Sequence, residues 1–228
     1  MKKLIIFPLL FVAVFASAQI EVTKFLGIPV DGNKQQMIQK IKEKGYLYNS
    51  NYDRLEGEFN GRDVFIYVVT NNNKVYRILV EDAVYSSEGD IKIRFNTLLR
   101  QFENNNQKYF SMSTEDGELS ESEDISYEMT VNNKRYEAAF IQTNNTLDSV
   151  TLSKKMEEFN KENYGDDYLL DMTDEQIFDA SIKFFLSLYI DNSVWFMINE
   201  RYGRYGILLY YDNNRNRANG EELYNAII

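Results

Sequence analysis

The chain has 228 residues, with 35 acidic against 25 basic side chains and a net charge of −10. That balance argues against nucleic acid and against anionic membrane surfaces, both of which select clustered Lys and Arg. It has no cysteine and no histidine, which excludes disulfides, histidine-based triads and the commonest metal ligand.

Met1-Lys2-Lys3, the apolar run Leu4–Ala16 and the small residues Ala16-Ser17-Ala18 have the layout of a secretory signal peptide spanning residues 1–18. The run falls short of the ~20 residues that span a bilayer, and no Cys follows it for lipid attachment. Cleavage is expected to leave Gln19 at the start of a periplasmic or secreted protein, without membrane insertion and more acidic for the loss of Lys2 and Lys3. Residues 19–228 read as one composite domain, long enough to rely on a hydrophobic core alone.

In chain order, Ile20–Phe25 alternates weakly and suggests an edge strand, followed by a turn over Gly27–Gly32. The spacing of Met37, Ile38 and Ile41 predicts a helix from Asn33 to Lys44, with Asn33 as N-cap and Gly45 as its stop. Leu55–Asn60 alternates with Leu55, Gly57 and Phe59 on one side and Glu56 and Glu58 on the other. After Asn60-Gly61, Val64–Val69 is apolar on both sides. After Asn71–Asn73, Val75–Val80 closes a three-strand antiparallel meander. A strand apolar on both sides predicts a helix over one face and something else, such as a partner, over the other.

Ile91, Phe95, Leu98, Leu99 and Phe102 then predict a second helix over Asp90–Phe102. Val131–Leu152 aligns without a gap on Phe59–Val80, placing Asn132 over Asn60, Lys134 over Arg62 and Asn144-Asn145 over Asn72-Asn73. This predicts a second meander, with Tyr127, Met129 and Val131 on its apolar side. A short helix follows over Lys154–Tyr164, and Thr173 with Gln176 forms a capping box for a helix running to Leu188. Trp195–Ile198 and Ile207–Tyr211 form a closing hairpin, a shorter third echo of the meander. The expected fold is α+β: helix-plus-meander repeats at about 33–84, 90–153 and 173–212 share one sheet of eight or nine antiparallel strands, with helices packed on one face.

Gly32–Tyr46 followed by a meander resembles the β-lactamase-inhibitor-protein-like and SmpA/OmlA-like folds, in which a helix and antiparallel strands are duplicated. Phe25–Lys34 and Tyr210–Leu223 are similar to segments of uncharacterised secreted proteins of Bacteroides-type bacteria. The resemblance implies protein binding on a concave sheet.

No nucleophile elbow, P-loop, dinucleotide fingerprint or zinc spacing is present, so neither catalysis nor a cofactor is expected. The acidic run Glu115, Asp116, Glu118, Glu121, Glu123 and Asp124 reads as a solvated loop, with calcium binding as the other reading. Asp212, Asn214 and Asn216 alternate as in a calcium loop, but Arg217 and Leu223 stand where that loop needs Gly and Glu. An Asx-rich turn is the simpler reading. Paired carboxylates such as Asp166 with Asp167 or Asp171 with Asp174 are a weaker, hydrolytic reading. The binding candidates are aromatic: Tyr67, Trp195, Tyr205, Tyr210 and Tyr211, with Arg204 supplying charge-assisted bonds. Strand alternation puts Tyr210 and Tyr211 on opposite sides, so only one of them can face the helices. The expected role is protein–protein interaction through an open sheet face; glycan or small apolar ligand binding on the same rings is the alternative.

Overall fold

The computed structural model describes residues 22–112, 117–143, 149–168 and 172–217; the expected signal peptide, residues 1–18, and residues 218–228 lie outside them. Eight antiparallel strands form one sheet. In chain order they are β3 (Leu47–Asn49), β4 (Arg54–Phe59), β5 (Arg62–Asn71), β6 (Lys74–Asp82), β7 (Tyr109–Ser111), β8 (Glu137–Gln142), β9 (Ser193–Arg201) and β10 (Arg204–Asp212). Their spatial order is β3-β4-β5-β6-β10-β9-β8-β7. The expected edge strand near Ile20–Phe25 is instead a separate two-residue ribbon, β1 (Lys24–Phe25) with β2 (Ile28–Pro29). The true edges, β3 and β7, are three residues each, too short for their periodicity to stand out in the sequence.

The helices are α1 (Lys34–Lys42), α2 (Glu88–Asn104), α3 (Ile125–Val131), α4 (Ser149–Tyr164) and α5 (Asp174–Asp191). Their starts follow local chemistry. The Asn33 side chain accepts from Gln36 N at 2.9 Å, and Thr173 and Gln176 exchange reciprocal bonds of 2.8 and 3.4 Å, each satisfying amides that a helix leaves unpaired. Met37 and Ile41 of α1 are buried, as are Ile91, Phe95, Leu98, Leu99 and Phe102 of α2. Both helices cover the same side of the sheet. There, Leu55, Ile66, Val80, Leu209, Phe196 and Ala138 form an in-register row across six strands, all buried in one core cluster. Phe95 meets Phe196 edge-on at 5.1 Å, and Phe102 stacks on Phe140 at 4.7 Å. Each such ring stabilises the fold by about 1.5–3 kcal/mol through burial.

The second meander does not form. Tyr127, Met129 and Val131 lie in α3, and Val150 and Leu152 in α4; of that copy only β8 is a strand. The alternation that suggested a strand was accidental, since Tyr127 and Val131 are exposed. The buried contacts come from Ile125 and, partly, Met129, four residues apart as on one helix face. Asp124 caps this helix by accepting from Tyr127 N at 2.9 Å. One sheet is present, but not as a tandem repeat. On β8, Ile141 points away from the α1/α2 side and is nevertheless buried, and α5 runs against β8 and β9 while packing on α4 through Phe159 and Phe184.

Asn60-Gly61 and Asn72-Asn73 turn their hairpins in the left-handed conformation, as expected from their residue types. The β9–β10 hairpin uses Tyr202-Gly203, with Tyr202 at φ +54° and its side chain fully exposed. A tyrosine there carries the left-handed penalty with no packing in return. Tyr202→Asn is therefore expected to stabilise the protein by about 1 kcal/mol. The check is a urea midpoint that rises at unchanged slope; an unchanged or lower midpoint would contradict it.

Candidate functional site

The side of the sheet away from α1 and α2 carries a second set of in-register rows. Tyr67, Leu79, Tyr210, Trp195 and Ala139 pair in sequence across β5, β6, β10, β9 and β8. A neighbouring row holds Glu56, Phe65, Glu81, Leu208, Met197 and Glu137. Phe65, Tyr67, Val69, Leu79, Trp195, Met197 and Leu208 are half-buried, unlike their counterparts on the core side. The strand that read as apolar on both sides is explained by this: Val64, Ile66 and Val68 fill the core, and Phe65, Tyr67 and Val69 stand on the other face.

Three arginines are laid over aromatic rings on this face, each neutralised by a carboxylate. Arg54 lies 3.4 Å from the centre of the Phe65 ring and pairs with Glu56 at 2.9 Å. Arg77 lies 4.7 Å from the Tyr210 ring and is held by Asp212 through two bonds of 2.6 and 2.7 Å. Arg201 lies 5.2 Å from the Tyr85 ring and pairs with Glu81 at 2.6 Å. Trp195 and Tyr210 stack with centroids 3.9 Å apart, and Trp195 Nε1 donates to Asp212 at 3.0 Å. Tyr85 crosses the sheet over Gly206, where a Cβ would come within 2.9 Å of its ring. Its hydroxyl donates to Glu81 and accepts from Asn199. Burial is the main cause that pushes the Tyr85 pKa up to about 12, so the hydroxyl stays a neutral donor at ordinary pH.

The structure places Tyr67, Tyr210 and Trp195 on one face, with Tyr210 itself buried at 9% exposure against Trp195 and Arg77. It separates the other three candidates. Tyr211 and Tyr205 sit on the core side of β10 at 5% and 4% exposure, which removes them from the sheet face that carries Trp195 and Tyr67. Tyr211 packs on Phe25 at 5.0 Å, and burial raises its pKa well above the ordinary tyrosine value. Arg204 is exposed at the hairpin end and donates to the Tyr85 carbonyl at 3.0 Å, so it ties two loops together and does not join the aromatic row. The sequence fixes the alternation of β10 but not which parity faces the helices.

Sequence reasoning missed Arg54, Arg77, Glu81 and Tyr85, and weighed Asp212 only as a calcium-loop ligand. The available signal was weak: polar residues alternating with apolar ones in strands that neighbour the meander. The calcium readings meet competing partners. Asp212 is occupied by Arg77 and Trp195, and Asn216 donates to Asp31 and the Val75 carbonyl. In the acidic run, Glu123 binds Lys134 and Tyr136, while Asp124 caps α3; Glu115 and Asp116 lie outside the described residues. Among the described residues no helix is long and apolar enough to cross a membrane. No protein-family model matches the sequence, and searches of curated proteins and of solved structures also give no match.

Proposed function

We propose that this is a periplasmic or secreted, non-catalytic binding protein that docks a partner protein on the sheet side away from α1 and α2. The observation that carries the reading is the row Tyr67–Leu79–Tyr210–Trp195, flanked by stacked arginines. Trp, Tyr and Arg are the side chains that dominate protein interfaces. Each arginine here is already paired with a carboxylate and rigidified against a ring, so less side-chain entropy is lost on docking. With its charges internally matched, the face attracts a partner through apolar area and hydrogen bonds and not through a long-range field.

The test is cross-linking and pull-down from the native periplasmic or extracellular fraction. Wild type should retain one partner at about 0.5 M salt, where exposed charges are screened. Trp195→Ala and Tyr67→Ala should each weaken that partner by about 2 kcal/mol, the scale of a hot-spot residue. Undiminished recovery by both variants would rule this face out. Selective retention on a glycan array, with no protein captured, would favour the alternative of a glycan held by the same rings.

A further inference from the structure

A recess of about 380 Å³ opens on the other side of the sheet, beside the C-terminal half of α2. Aromatic rings from four different elements converge on it: Phe59 of β4, Phe102 of α2, Tyr109 of β7 and Tyr211 of β10. Leu98 and Leu209 complete its apolar lining. The remaining lining groups are three carboxamides, Asn60, Gln101 and Asn105, and among the described residues no charged side chain takes part. Asn60 donates to Gln101 at 2.7 Å, tying the β4–β5 turn to α2 beside the recess.

We infer that this recess is a binding site for a neutral, ring-bearing small molecule with a hydrogen-bonding substituent, such as a phenol or an aryl amide. Its volume lies in the range of about 300–1,000 Å³ typical of small-molecule sites, and a helix about 10–12 Å across does not fit it. Four ring walls favour a flat apolar body through edge and face contacts. Carboxamides both donate and accept, so they suit a hydroxyl or amide on the ligand. A carboxylate or ammonium group would lose its hydration without meeting a counter-charge. The Tyr211 hydroxyl on the inner wall is already engaged with Tyr109 and is held neutral by burial. The site faces the opposite way from the proposed protein-docking surface and stands independently of it.

The test titrates the purified protein with the neutral fluorophore phenylnaphthylamine. Saturable emission at one site is expected, displaced by naphthol. Naphthoate should compete about tenfold more weakly or worse, because its charge finds no partner. Gln101→Trp and Asn105→Trp, both at exposed positions, should fill the mouth and abolish binding while circular dichroism and the urea midpoint stay at wild-type values. Trp195→Phe, on the far side, should leave binding unchanged. Absence of saturable binding, equal competition by naphthoate, or full binding by both mouth variants would overturn the assignment. Loss of binding in Trp195→Phe would move the site to the far side and overturn it too.

Discussion

Asp212→Ala is expected to destabilise the protein by about 3–5 kcal/mol, the cost of leaving a buried charge without its partner. The carboxylate is 3% exposed and holds Arg77, itself 19% exposed, while also accepting from the indole of Trp195. Removing it strands a guanidinium and an N–H donor in a region with little access to water. Against a typical total stability of about 5–15 kcal/mol, that is a large fraction. Asp212→Asn keeps an acceptor for Trp195 and loses only the ionic part, so its effect should be smaller. Replacing both partners, Arg77→Met with Asp212→Leu, should recover most of the loss, because the desolvation cost of the pair disappears with the pair. Urea midpoints and the near-ultraviolet dichroism of the single tryptophan read the series. An Asp212→Ala midpoint equal to wild type would contradict the account.

Alkaline titration should produce the second large effect. Tyr46, Tyr85, Tyr136, Tyr210 and Tyr211 all have pKa values raised above the ordinary 10.0, in each case chiefly by burial. The folded state then binds these protons more tightly than the unfolded state does. Their contribution is constant below pH 10 and is lost as pH rises from 10 through the folded-state values, about 12 for Tyr85. A one-unit shift corresponds to about 1.4 kcal/mol. After allowance for its partial exposure, Tyr85 contributes about 1–2 kcal/mol of that loss. Tyrosinate absorbance should therefore show a late-ionising fraction that appears together with loss of far-ultraviolet dichroism between pH 10 and 12. Tyr85→Phe should lessen the decline across that window. If all tyrosines titrated together near pH 10 with the dichroism unchanged, the raised values would be wrong.

The first half of the fold was legible because its local signals agree with its tertiary environment. Asn33, Gly45, Asn60-Gly61 and the triple Asn mark element ends, and the meander from Leu55 to Val80 pairs within itself. Residues Ile125–Val131 were misread because Tyr127, Met129 and Val131 fall at period two, although Tyr127 and Val131 are exposed and the residues that pack, Ile125 and Met129, share one helix face. For the candidate surface, Tyr67, Tyr210 and Trp195 could be named from side-chain type and alternation. Tyr205 and Tyr211 could not be excluded, because parity becomes meaningful only once the side taken by α1 and α2 is known. Arg77 and Asp212 are 135 residues apart, and nothing local to either predicts that β6 and β10 are neighbours.

That neighbourhood has a consequence for biogenesis. The last of the described strands, β10, occupies an interior place in the sheet, wedged between β6 and β9. Until Arg204–Asp212 has emerged from the ribosome, the backbone of Lys74–Asp82 has an unsatisfied margin open to wrong pairing. Closure of the β6–β10 pair has to wait for Arg204–Asp212, and pairings of such long range are slow to form. Shortened versions ending before Ser193 should accumulate as aggregates instead of as smaller native units.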